Sequence, residues 1–128
     1  MPTTAEQATI AQSCILIRIP RLYRVGMAGR DLYDATRGIW KLGRRRERAA
    51  YAMAVVDGMV HEVYSIEAWH PAGSTPYASR QFTREQLEGR WEFTGVLAPE
   101  TVRESYVGRS VAHYFTRGAR NPIQYVNS

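Results

Sequence analysis

Cations hold the densest chemistry in this chain. Between positions 37 and 48 stand Arg37, Lys41, Arg44, Arg45, Arg46 and Arg48, against a single anion, Glu47, with Trp40 among them. Guanidinium groups grip phosphate oxygens in pairs and stack on bases, and an indole offers a base a flat face. A basic run with an aromatic inside it therefore suits a nucleic-acid or nucleotide partner. The competing reading is a solvated charged face, with Trp40 packed inward beside Ile39 and Leu42. Trp69, near a strand end, and Tyr77, in the loop that follows, are candidates to line an adjoining pocket.

Acid–base chemistry has fewer candidates. Glu62 with His61 or His70 is the set on which a small hydrolase or nuclease would be built. Adjacent residues of a strand point to opposite faces, however, which argues against a simple local dyad of His61 and Glu62. The single cysteine, Cys14, stands in an apolar run without a cationic neighbour to lower its pKa, and reads as a small buried hydrophobe. His61, His70 and His113 lie far apart, and neither HxxxH nor CxxC spacing occurs, so no metal site is expected. Nucleophile elbows and phosphate-binding glycine loops are also absent, and no cofactor is implied. The balance favours a binding module over an enzyme, and a protein-interaction subunit with an acidic partner is the remaining alternative.

Composition points the same way. The chain has 128 residues, a formal net charge of +5 and sixteen arginines to one lysine, a bias that fits an anionic partner and also fits a GC-rich genome. No apolar run approaches the roughly 20 residues that span a bilayer, so no membrane association is expected. One cysteine cannot make an internal disulfide, and no charged leader with an apolar run opens the sequence, so the expected location is cytoplasmic.

The elements that must position these groups centre on Asp57-Gly58. That dipeptide between the β-rich runs 51–56 and 59–69 predicts a two-residue hairpin turn with positive φ at both positions. The register would set Val55 opposite Val60, Met53 opposite Glu62 and Tyr51 opposite Tyr64. Tyr51, Met53, Val55, Val60, Tyr64 and Ile66 would then share one apolar face. Glu62 is the odd member of that face. Either a bulge re-aims it or it needs a partner, for which Arg80, Arg90 and Tyr64 are candidates.

Residues 1–12 read as a flexible leader and 13–128 as a single domain. A strand over 13–19 ends at Pro20, and a turn-rich connector over 20–29 leads to a helix over 30–37, stopped by Gly38. Pro71 ends the second hairpin strand. Thr83 and Gln86 form a capping-box pattern for a short helix, and 91–97 has strand character, with Gly95 allowing a bulge or close backbone approach. Residues 100–107 are ambiguous, 109–115 read as a short helix, and 122–127 as a closing strand. The fold class is α+β, built on a curved antiparallel sheet or partly closed β-barrel with short flanking helices.

Four stretches carry a resemblance. Leu32-Tyr33-Asp34-Ala35-Thr36-Arg37-Gly38-Ile39-Trp40, Arg45-Arg46-Glu47-Arg48-Ala49-Ala50-Tyr51-Ala52, Gly58-Met59-Val60-His61-Glu62-Val63-Tyr64-Ser65-Ile66 and the segment 118–127 are similar to a family of small uncharacterised bacterial proteins, over most of 15–127. The architecture also resembles PUA-like domains of the ASCH, EVE and SRA type. Gly43, Arg45, Glu47 and Arg48 approximate the ASCH signature with altered spacing, so no catalytic residue is carried over. This second resemblance implies RNA binding or the reading of modified bases.

Overall fold

The computed structural model describes residues 6–19, 29–77, 81–118 and 120–127. Its elements are β1 (Cys14–Arg18), α1 (Gly29–Arg37), β2 (Tyr51–Val56), β3 (Met59–Pro71), α2 (Arg84–Leu87), β4 (Trp91–Leu97), α3 (Glu100–Tyr106) and β5 (Ile123–Val126), with 3-10 turns at Arg44–Arg48 and Ala112–Tyr114. The strands form one sheet in the order β4-β3-β2-β1-β5. Strand β1 runs parallel to β2, and the pairs β1–β5, β2–β3 and β3–β4 are antiparallel.

The fold is α+β, as its short strands and helices imply, but the sheet is mixed and open. A parallel neighbour requires a crossover, and the connection from β1 to β2 supplies one that contains α1. The first and last strands do meet, through β1 and β5, yet the sheet does not close: β4 and β5 are its edges. Both faces are covered. Cys14, Leu16, Met53, Val55, Val60 and Val63 pack with Tyr106, Val111 and Ala8 on one side. Ile15, Ile17, Ala52, Ala54, Tyr64 and Phe93 pack with Ala35, Leu32 and Tyr33 of α1 on the other.

Asp57 at φ 52° and Gly58 at φ 77° make the predicted turn, and Val55 opposes Val60. Beyond that pair the register departs from the simple hairpin, because His61 is an extra residue in β3. Ala54 opposes Glu62, Met53 opposes Val63, Ala52 opposes Tyr64 and Tyr51 opposes Ser65. A one-residue slip exchanges faces, so Tyr64 and Ile66 join the α1 side instead of sharing a face with Met53 and Val55. A second irregularity falls at Glu67, between the pairs Ile66–Gly95 and Ala68–Thr94. A side chain at Gly95 would collide with the Ser65 carbonyl, which accounts for glycine there.

The expected leader is docked from Glu6 onward. Ala8 N–H donates to Ser110 O at 2.8 Å, Ile10 N–H donates to the Tyr114 hydroxyl at 2.8 Å, and Ala8 and Ile10 are buried. Their apolar side chains close the α3 face, which outweighs the polar composition of the surrounding residues. Residues 1–5, residues 20–28 of the expected connector, and Arg80 lie outside the described residues. The helix at Arg84–Leu87 has both halves of the capping box: Thr83 Oγ1 accepts from Gln86 N–H, and Gln86 Oε1 accepts from Thr83 N–H. The helical stretch expected over 109–115 is reduced to the turn Ala112–Tyr114.

Candidate nucleic-acid interface

The segment between α1 and β2 touches both edges of the sheet. Trp40 N–H donates to Trp91 O at 3.0 Å and Trp91 N–H donates to Trp40 O at 2.8 Å, adding a short bridge outside β4. Five residues on, the Arg45 guanidinium lies 4.9 Å from the centre of the Tyr125 ring on β5. The gap that a barrel would close by strand pairing is therefore spanned by this connection. Its backbone is fixed further by Ala50 N–H donating to Ser13 O at 2.9 Å.

The arginine run divides into two groups. Arg44, Arg45 and Arg48 are exposed, as is Lys41. Arg46 is buried: its guanidinium carbon sits 3.4 Å from the centre of the Trp91 ring, Nη1 donates to Gly43 O at 2.7 Å, and Nε lies 3.4 Å from Glu47 Oε1. Arg37, at 3% exposure, is also withdrawn from solvent. Its Nε donates to Asp34 Oδ1 at 3.0 Å, Nη1 donates to Thr75 Oγ1 at 2.6 Å, and Nη2 donates to the Pro76 carbonyl. Glu92, fully buried, lies 3.6 Å from Nη1 and accepts from the backbone N–H of Gly73 at 2.6 Å and of Thr75 at 2.9 Å. The Thr75 and Tyr77 hydroxyls donate to the same carboxylate. Arg37 thus ties α1 to β4 and the loop after β3, and neither it nor Arg46 presents its charge to an outside ligand.

Trp40 is half-buried against the α1-side core, with its indole N–H donating to Thr36 O at 2.8 Å, so its ring packs the segment onto the sheet. Tyr77 lies 3.7 Å from the Arg37 guanidinium, and Trp69 stacks edge-on with Phe93 at 5.3 Å. These aromatics belong to the buried network and the core, not to the face that carries Arg44, Arg45 and Arg48.

Beside that face is a cleft of about 360 Å³ between the segment and β5. Lys41, Arg45, Asn121, Gln124 and Tyr125 are among its walls. The Tyr125 hydroxyl is buried without a hydrogen-bond partner among the described residues. Burial pushes its pKa up, while Arg45 and Arg46 pull the other way by stabilising a phenolate. This wall is not visible in the sequence: Asn121, Gln124 and Tyr125 stand some eighty positions from the arginine run, and the pairing of β5 with β1 brings them near it.

Glu62 and His70 are not brought together. Glu62 Oε1 and Oε2 accept from Arg103 Nε and Nη2 at 2.7 and 2.9 Å, and Oε1 also accepts from Val63 N–H at 3.1 Å. The partner that burial demanded is Arg103 of α3, not Tyr64 or Arg90. His70 Nε2 lies 3.0 Å from Thr94 Oγ1, and eight positions of extended strand, roughly 25 Å, separate it from Glu62. Among the described residues no group of three or more His, Cys, Asp or Glu side chains is placed to hold a metal ion, and no helix is long and apolar enough to cross a membrane.

Comparison of the chain with protein-family models, with curated proteins and with solved structures returns no significant match.

Proposed function

We propose that this chain is a nucleic-acid- or nucleotide-binding module whose contact surface is the exposed part of the segment that spans the sheet edges. The observation that carries this reading is the placement of Lys41, Arg44, Arg45 and Arg48. All four are exposed on a backbone held at Trp40 and at Ala50, beside a cleft lined by polar side chains. A fixed array of cations meets phosphates without first losing the conformational freedom of a loose tail. The resemblance to PUA-like domains belongs to the same reading, and Gly43, Arg45, Glu47 and Arg48, which carry it, lie on this surface.

Binding by four phosphate contacts makes the logarithm of affinity fall with the logarithm of salt concentration at a slope of roughly −3 to −4. Titration of fluorescent single- and double-stranded oligonucleotides at several salt concentrations tests this. Arg44→Ala/Arg48→Ala should weaken binding and flatten the slope by roughly 1.5. Undetectable binding of every oligonucleotide at low salt by the folded protein would contradict the reading.

A further inference from the structure

Two amide side chains on the far wall of the cleft are held in defined orientations. Asn121 Oδ1 accepts from Ile123 N–H at 3.0 Å, which assigns the carbonyl end of that amide to the backbone. Gln124 Nε2 donates to Tyr125 O at 3.2 Å, which assigns the opposite end of the other. What each can still offer follows from the groups of an amide: Asn121 keeps its Nδ2 donors and Gln124 keeps its Oε1 acceptor. Each amide is set by a partner that accepts only one of its two flips. Lys41 and Arg45 line the same cleft, and Arg45 stacks on Tyr125.

We infer that this cleft takes one unpaired nucleotide, with its phosphate at Lys41 and Arg45 and its base edge at the Asn121 donor and Gln124 acceptor. The inference rests on the nucleic-acid reading and adds a choice of strand state. Every nucleobase presents a donor beside an acceptor on its pairing edge, and in a duplex that edge is already occupied and stacked. A volume of about 360 Å³ is at the small end of ligand pockets and holds a single unit, not a length of double helix. Asn121, next to the turn into β5, gives the base edge a rigid donor because its carbonyl is committed to that turn.

The test compares an eight-nucleotide single strand as DNA and as RNA, the matching duplex, and the four ribonucleoside 5′-monophosphates, binding each to the wild-type chain and to variants. Asn121→Ser keeps an oxygen that can accept from Ile123 N–H and removes the amide donor. Gln124→Met keeps the length of the side chain and removes the acceptor. Thermal unfolding checks both, and either variant alone suffices if the other fails to fold. The single strand should bind at least about tenfold more tightly than the duplex, and each variant should lose about tenfold on the single strand with duplex binding unchanged. The monophosphates distinguish a free nucleotide from a nucleotide within a strand: saturable binding that shifts the amide resonances of Asn121 and Gln124 places the free form in the same cleft. Equal affinity for single strand and duplex, or single-strand affinity unchanged in both variants, would overturn the inference. If Arg44→Ala/Arg48→Ala still weakens binding in that case, the broader reading stands without it. Absence of all binding would remove both.

Discussion

At the residue scale, burial decides what each reactive side chain can do. Cys14 is fully buried between β2 and β5, and burial pushes its thiol pKa up from 9.0 to about 12. A thiol reagent should therefore label it slowly in the folded protein at neutral pH, and rapid stoichiometric labelling would contradict its placement. The same shift sets a pH dependence. Between pH 9 and 12 the unfolded chain releases the thiol proton while the folded chain keeps it, so the stability contribution is complete below pH 9 and is lost as pH rises. Relative to Cys14→Ala, the wild-type chain should lose about 1.4 kcal/mol more stability between pH 8 and pH 10, measured by urea unfolding. Glu62 shows a different balance. Its bulged position gives it Arg103, whose own pKa is raised by that hydrogen bond, and a carboxylate committed to two guanidinium bonds is a poor general base.

At the scale of elements, the buried Asp34–Arg37–Glu92 network joins three pieces that sequence order keeps apart. Arg37 ends α1, Glu92 begins β4, and Thr75 and Tyr77 come from the loop after β3. Removing one member leaves charge uncompensated in the interior. Arg37→Ala should destabilise the fold by ~3–5 kcal/mol in urea unfolding, whereas Arg44→Ala, on the exposed face, should change it by less than about 0.5 kcal/mol. Equal effects of the two would contradict the division of the arginine run. That division was not legible in the sequence, because Arg37 and Arg44 look alike within a basic stretch. The partner that buries Arg37 is Glu92, fifty-five positions on, and no local pattern announces it. Features encoded within a few residues were legible: the Asp57-Gly58 turn, the Thr83/Gln86 capping box and the strand ending at Pro71. The bulge at His61 was hinted at only by Glu62 falling on an apolar row. The parallel pairing of β1 with β2 depends on a long-range choice that strand propensity does not encode.

For the whole molecule, the segment that carries the exposed cations is also the piece that links the two edges of the sheet. Trp40 secures it to β4, and Arg45 reaches Tyr125 on β5. Trp40→Ala should therefore act on folding, with a loss of ~3–5 kcal/mol in urea unfolding, and its effect on ligand binding should follow from that loss. Arg44 and Arg48, exposed on that segment, should act on binding alone. The central claim, that Lys41, Arg44, Arg45 and Arg48 form the nucleic-acid contact, is tested most directly by the salt dependence of oligonucleotide affinity. For the wild-type chain the log–log slope should lie at roughly −3 to −4, and for Arg44→Ala/Arg48→Ala it should be less steep by roughly 1.5. A wild-type slope near zero, or a slope that the double substitution leaves unchanged in the folded protein, would contradict the account.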